Sequence, residues 1–261
     1  MKRLARLSGQ RADRDTEGVF VVDGPLLVAD AADAGLNVEE VFIDAAVLGR
    51  PEVQGVLARL GEQAAVYAVP HGLRGHVDTA TPNAMAAVVR RPDPALITAT
   101  DLGPVADLLL VLCDVADPGN VGTLVRVAEA VGAGGVVLTG ATVDPWSPKA
   151  VRASAGAVFR VAVETAGDGR EGLGRLGRLG YRRVGTRTDA PRPYDELDLR
   201  GPVALVLGSE AHGLSAEIDR ELDDVVALPM AGRIESLNVA MTGAVVCFEA
   251  ARQRRAGTAR P

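Results

Sequence analysis

Cysteine is nearly missing from this chain of 261 residues: Cys113 and Cys247, both inside apolar stretches, are its only two. They can form neither a disulfide framework nor a cysteine metal cluster. The three histidines, His71, His76 and His212, are scattered, and no set of His, Cys and Asp has the spacing of metal ligands, so no metal is expected. No apolar run approaches the ~20 residues that a membrane helix needs, which removes membrane-spanning functions. The opening Met1-Lys2-Arg3-Leu4-Ala5-Arg6 is charged with no apolar stretch behind it, so a secretory signal is not expected and a cytoplasmic location is. A basic surplus is lacking too: the net charge is −6, whereas a strong nucleic-acid binder usually carries an excess of positive charge.

Lysine is the scarcest charge, with only Lys2 and Lys149 among 28 basic residues. Arginine supplies the rest. It gathers near the start (Arg3, Arg6, Arg11, Arg14), at Arg90-Arg91, at Arg175, Arg178, Arg182, Arg183, Arg187 and Arg192, and at Arg252, Arg254 and Arg255. Arginine suits planar, bidentate phosphate contacts. Solvated faces interleaved with Asp and Glu have the same composition. Charge alone does not choose between the two.

What is present looks globular: 48% apolar and 24% charged residues, with enough length for a large domain or two smaller ones. Three prolines and a glycine between residues 90 and 104 mark a break. The reading is a small α/β domain over 1–95, a linker over 96–104 and a larger domain over 105–261. In the first, Val19–Val22, Val38–Ile43, Val66–Val69 and Ala84–Val89 read as strands, with helices over Pro25–Ala34 and Pro51–Leu60. In the second, Leu108–Asp114 is a continuous apolar run, as expected of a parallel strand covered on both faces. Val136–Thr139, Val158–Val163, Val203–Leu207 and Val225–Leu228 extend the series. A helix runs to about Val131, another over Pro148–Ala155, and a long closing helix starts near Ser236. Such alternation gives an open, mostly parallel sheet, whose ligands bind outside the carboxyl ends of the strands.

The common nucleotide and hydrolase motifs do not fit. Gly132-Ala133-Gly134-Gly135 follows a helix and precedes a strand, the reverse of a dinucleotide fingerprint, and neither a phosphate-binding P-loop nor a nucleophile elbow occurs. Three loops remain, at 117–122, 208–213 and 229–236. In the first, Arg126 lies early in the following helix, where positive charge opposes the macrodipole unless an anion is near; a side chain reaching to solvent is the plain alternative. In the second, Glu210 sits between two glycines, an arrangement that a tight surface turn also explains. In the third, Ser236 is a plausible N-cap for the closing helix, which leaves Asn238 unexplained.

Taken together these loops resemble the SpoU (TrmH) family of RNA 2′-O-methyltransferases. Asn120, Gly122 and Arg126 match Asn-x-Gly-x-x-x-Arg. Gly208, Glu210 and Gly213 match Gly-x-Glu-x-x-Gly. The stretch from Pro229 to Val239 matches Pro-Met-x-Gly-x-x-x-Ser-Leu-Asn-Val. The first 90 residues also resemble the family's substrate-binding module, itself similar to a ribosomal protein fold, with Phe20-Val21-Val22-Asp23-Gly24 where that module has Phe-x-Val-Glu-Gly.

The resemblance implies a trefoil-knotted domain, a homodimer with its active site at the subunit interface, and S-adenosylmethionine as cofactor. By position, Gly208, Leu228 and Leu237 would contact the cofactor through their backbone. Thr139, Gly140 and Met230 would line the pocket, and Gly213 would belong to the cofactor-binding set as well. Methyl transfer needs no metal, because the sulfonium methyl is already electrophilic. The ribose hydroxyl must be positioned and relieved of its proton. Arg126 would bind the RNA phosphate and stabilise the forming alkoxide; a free arginine is effectively always protonated, so its use as a base is left open. Asn120 and Glu210 would hold Arg126 and the ribose, while Ser236 and Asn238 would fix the loop and the substrate.

Some residues depart from the family pattern: Asp23 stands for the usual Glu, Thr81-Pro82-Asn83-Ala84 for Pro-Gln-Gly, and Arg14-Asp15-Thr16-Glu17 is more acidic than usual. The expected reaction is methyl transfer to a ribose 2′-hydroxyl of large-subunit ribosomal RNA, whether as housekeeping or as antibiotic resistance. A tRNA-directed enzyme and a non-catalytic RNA-binding or ribosome-assembly scaffold are the alternatives. A dinucleotide-dependent oxidoreductase lacks its glycine fingerprint.

Overall fold

The computed structural model describes residues 1–78, 83–92 and 106–258. The linker expected at 96–104, and Thr81-Pro82, lie outside the described residues. The chain forms two compact units: Met1–Asp93 together with Asp144–Arg160, and Pro94–Val143 together with Val161–Pro261.

In the first unit, α1 (Lys2–Gly9) and α2 (Arg11–Glu17) lead into β1 (Val19–Asp23), followed by α3 (Pro25–Asp33), β2 (Val38–Asp44), α4 (Pro51–Leu60), β3 (Ala65–Val69) and β4 (Met85–Arg90). The chain then passes through β5 (Leu108–Cys113), α5 (Pro118–Val131) and β6 (Gly135–Thr139) of the second unit. It returns to the first with α6 (Pro148–Ala153). Proline in the first turn of α3, α4, α5 and α6 sets φ where no backbone donor is needed. The sheet order is β1-β4-β2-β3, antiparallel except for the β2–β3 pair. All of β1 is buried, because both of its faces are covered. Leu4 and Leu7 of α1 pack with Val19 and Val21. Phe20 faces the other way, its ring 4.9 Å from Trp146 and 6.0 Å from Phe159. Truncating a buried phenylalanine of this kind costs roughly 3–5 kcal/mol. Beneath this cluster Arg14 donates to Asp144 from Nε at 2.8 Å and Nη2 at 2.6 Å, and its Nη1 reaches the carbonyls of Leu7 and Ser8. Asp23 is buried too, accepting from the Asn83 backbone at 3.0 Å and from Arg152.

The second unit continues with β7 (Val163–Gly167), α7 (Gly169–Arg178), β8 (Arg182–Thr186), β9 (Val203–Leu207), α8 (Ala216–Asp219), β10 (Asp224–Val226) and α9 (Val239–Thr258). Its strands run in the order β10-β8-β9-β5-β6-β7, and every pair is parallel. Every residue of β5, β6 and β9 is buried, as continuous apolar strands between helical layers should be. On one face, Leu173 and Leu176 of α7 and Ile218 of α8 meet Leu109, Val111 and Val206. On the other, α9 packs on α5 and on β9. Burial pushes the Cys113 thiol up to about 11 and the Cys247 thiol up to about 12, so both are neutral core groups. No helix among the described residues is long and apolar enough to cross a membrane.

The parallel α/β sheet is the one expected. The strand expected over Val158–Val163 begins only at Val163. Ala157–Phe159 forms a single 3-10 turn instead, which carries the Phe159 ring to Phe20. Packing here outweighs local β propensity. α1, α2, α7 and β8 were not expected.

Candidate functional site

Parallel strands end at one edge, and the chain must turn there after each of them. After β5, Asp117 caps α5 by accepting from the Asn120 backbone at 2.8 Å. After β9, the turn from Gly208 to Gly213 closes on itself: Ser209 and Gly213 exchange backbone hydrogen bonds of 3.0 and 2.8 Å. A Cβ on Gly208 would lie 2.4 Å from the backbone of Gly213, so the turn excludes any side chain there. Glu210 projects from its tip, exposed. After β10, a segment without regular structure leads to α9.

These three turns meet through side chains. Asn120 Nδ2 donates to Glu210 Oε1 at 2.6 Å, and Asn238 Nδ2 donates to Asn120 Oδ1 at 2.9 Å. Asn238 Oδ1 accepts from Ala240 N at 2.8 Å and Met241 N at 3.4 Å. Asn238 therefore caps α9, and the expectation that Ser236 does so is corrected. Ser236 lies two residues before the cap, exposed on the wall of a cavity. Arg126 is exposed on α5 and makes no hydrogen bond or ion pair with any described residue. Asn120 and Glu210, expected to hold it, bond to each other.

The cavity, about 680 Å³, opens at the carboxyl ends of β8, β9 and β10. Gly208, Gly213, Leu228, Met230 and Leu237 line it, together with Glu210 and Ser236. Thr139 and Gly140 do not. Thr139 is buried, its hydroxyl 3.3 Å from Cys113 Sγ, and Gly140 bonds to Gly167. A wall that sequence reasoning missed comes from β8 and the turn after it: Thr186, Arg187, Thr188 and Asp189. Arg187 Nε and Nη2 grip Asp189 at 2.9 and 2.8 Å, while Nη1 donates to both oxygens of Asp219. The Arg187 guanidinium holds the Asp189 carboxyl below the usual carboxylate range. Nothing in Arg-Thr-Asp marks it as a ligand wall until the strand beneath it is known.

Most clustered arginines are occupied. Arg3 pairs with Glu17, Glu39 and Glu40, Arg90 with Glu39, Arg91 with Asp15, Arg182 with Asp224, Arg183 with Asp223, and Arg252 with Glu249. For these arginines the acid-interleaved face is the reading that fits. Among the described residues no three His, Cys, Asp or Glu side chains converge as metal ligands.

Fold and site define a class: a parallel α/β protein whose ligand cavity is walled by the turns after neighbouring strands and tied together by two asparagines and a glutamate. The chain belongs to the SpoU rRNA methylase family, whose model matches residues 107–248. A protein of Mycolicibacterium smegmatis named as an uncharacterized tRNA/rRNA methyltransferase is 35% identical over 226 residues, which cover 86% of this chain and 64% of that one. A counterpart in Mycobacterium sp. strain KMS is 41% identical over 164 residues, 63% of this chain and 52% of its own length. The chain thus spans about half to two-thirds of these curated relatives. Among solved structures, the SpoU methyltransferase AviRb from Streptomyces viridochromogenes, crystallised with AdoMet, superposes with a TM-score of 0.85 at 27% identity over 97% of each chain. An RNA 2′-O ribose methyltransferase superposes with a TM-score of 0.81 at 32% identity, over 97% of this chain and 95% of its own.

Proposed function

We propose that this protein transfers a methyl group from S-adenosylmethionine to a ribose 2′-hydroxyl of RNA, with large-subunit ribosomal RNA as its target. The observation that carries this reading is the Asn120–Glu210–Asn238 network beside the cavity, which joins the three turns whose sequences match the family. S-adenosylmethionine, when bound, supplies an electrophilic methyl on a sulfonium. The residues present fit it: apolar Leu228, Met230 and Leu237 suit an adenine and a thioether-like chain, and the walls carry the carboxylates Asp189, Asp219, Glu210 and Glu235 against Arg187, an acidic excess that suits a cationic ligand.

The protein's own part in the reaction is positioning and charge. Glu210 and the two asparagines brace the turns, so the site costs little reorganisation when substrate arrives. Arg126, which has no partner among the described residues, takes the RNA phosphate and stabilises the oxyanion that forms as the 2′-hydroxyl loses its proton. Ser236 and Asn238 border the ribose.

The path through these turns is proposed to be the family's trefoil knot, and the first unit its ribosomal-protein-like RNA-binding module. Two copies pair through α9, where Met241, Val245 and Phe248 share one face and are 59%, 36% and 50% exposed. Burying that face in a second copy brings Arg126, on the helix packed against α9, toward the interface.

The test uses methyl-tritiated S-adenosylmethionine with separate pools of unmodified ribosomal RNA and tRNA, followed by alkaline hydrolysis. Label in an alkali-resistant dinucleotide from ribosomal RNA is the expected result. Label in tRNA keeps the chemistry and overturns the target. Label in a mononucleotide overturns ribose methylation. Cofactor binding without transfer to either RNA or to ribosomal particles favours a scaffold.

A further inference from the structure

The wall formed by Arg187, Asp189 and Asp219 has a geometry that a general acidic surface lacks. The Arg187 backbone N–H bonds to the Val226 carbonyl at 3.0 Å, so the end of β8 is pinned to β10 before the chain turns into the cavity. Two residues on, Asp189 is held side-on: Nε meets one carboxylate oxygen and Nη2 the other. Asp219 fixes the far side of the same guanidinium. The Asp189 side chain is nevertheless 70% exposed. A carboxylate gripped this way still has acceptor capacity toward the cavity, beside the contact from its own backbone N–H, and the arginine fixes the direction of both oxygens. Two rigid, ionised acceptors about 2.2 Å apart, the spacing within any carboxylate, match a ligand that presents two neighbouring hydroxyl donors.

The other carboxylates on the cavity wall do not offer this. Glu210 accepts from Asn120. Asp219 takes a single nitrogen, Arg187 Nη1, between its oxygens, and its side chain is 35% exposed against 70% for Asp189. Glu235, on the opposite loop, is exposed and has no fixed partner among the described residues, so it suits a mobile ammonium better than a defined pair of donors.

We propose that Asp189, clamped by Arg187, accepts hydrogen bonds from the vicinal 2′- and 3′-hydroxyls of the adenosyl ribose of the ligand in this cavity. A carboxylate at the carboxyl end of a parallel strand is the general solution for holding a ribose diol in open α/β sheets. Here it stands in the turn just past β8, with Val226 of β10 and Gly208 beyond β9 on the same cavity wall. The assignment rests on the cofactor reading above and adds to it the residue that distinguishes ribose from deoxyribose.

Calorimetry on the full chain tests it, with S-adenosylhomocysteine and its 2′-deoxyadenosyl analogue as probes. The wild type is expected to prefer the diol form by about ten-fold, the range of one hydrogen bond to a charged acceptor. Asp189→Asn should weaken binding of the diol form by a similar factor, bind the deoxy form as before, and so lose the preference. Glu235→Gln should keep it. An Asp189→Asn protein that retains both affinity and preference overturns the proposal while leaving the cofactor reading intact. So does loss of the preference in Glu235→Gln alone. If the wild type binds neither probe, nor S-adenosylmethionine itself, the cofactor reading fails and the proposal with it. Because Asp189 is exposed, unaltered thermal unfolding is the check that each variant is folded.

Discussion

Asn238 uses its two amide atoms in opposite directions: Oδ1 accepts from Ala240 N at 2.8 Å and caps α9, while Nδ2 donates to Asn120 Oδ1 at 2.9 Å and ties that helix to the first turn of α5. The two tasks can be separated. An aspartate caps as well as an asparagine but has no N–H to give. Asn238→Asp is expected to unfold within about 0.5 kcal/mol of the wild type and to lose methyl transfer by about ten-fold or more. Asn238→Ala should lose transfer and, in addition, about 1 kcal/mol of stability. Denaturant melts beside tritium-transfer assays check this; equal stability losses in both variants would refute the separation.

Arg126 makes no hydrogen bond or ion pair with any described residue. Arg126→Ala should therefore leave the unfolding midpoint and the affinity for S-adenosylhomocysteine unchanged while lowering methyl transfer by roughly 10²-fold or more. Weakened cofactor binding in that variant would remove Arg126 from the RNA side of the site.

The Arg14–Asp144 pair has side-chain exposures of 4% and 6%. Arg14→Met leaves an unpaired carboxylate inside the first unit, which costs roughly 3–5 kcal/mol. Adding Asp144→Asn should return part of that loss. Urea unfolding of the single and double variants measures both, and a double variant no more stable than the single one counts against the pair as the cause.

Asp223 lies side-on against Arg183, with both hydrogen bonds at 2.9 Å, and the guanidinium holds its carboxyl below the usual range. A depressed folded pKa gives stability that is present above the unfolded value of about 4 and is lost as pH falls through the folded one. Asp223→Asn should therefore show a smaller drop in urea midpoint between pH 6 and pH 3, about the range over which such carboxylates titrate. An identical drop in both proteins rejects the assignment.

Phe248→Asp puts a charge on the exposed stripe of α9. Light scattering should find a dimer for the wild type and a monomer for the variant. A wild-type monomer across the micromolar range dismisses pairing through this face.

The legible parts of the sequence were those where local chemistry and global packing agree. Apolar runs such as Leu108–Cys113 announce a doubly covered strand, and Pro51 opens a helix where it was expected. The turns at Asn120, Glu210 and Asn238 were legible through their resemblance to the SpoU family's motifs. β8 was not, because Arg182 and Arg183 place charge at the start of a strand where acidic partners meet it. α7 was hidden by four glycines in ten residues. They look like a loop by propensity, yet the start of the helix is closely packed: a Cβ on Gly169 would stand 2.6 Å from Ile218 Cδ1 and 3.2 Å from the Thr139 hydroxyl. The cap at Asn238 instead of Ser236 was a choice between two good N-caps that only the direction of the preceding loop decides.

Residues 144–160 give the molecule a seam that does not run where the sequence breaks. Trp146 and Phe159 complete the cluster around Phe20, although they sit beyond β5 and β6 in the chain. A fragment cut before residue 105 would lose both rings and expose Phe20; the complementary fragment would carry them with nothing to cover them. Neither half is a removable cassette. A lineage exchanging its first unit for another fold would have to rewrite this short internal stretch at the same time, so such an exchange is a two-site event.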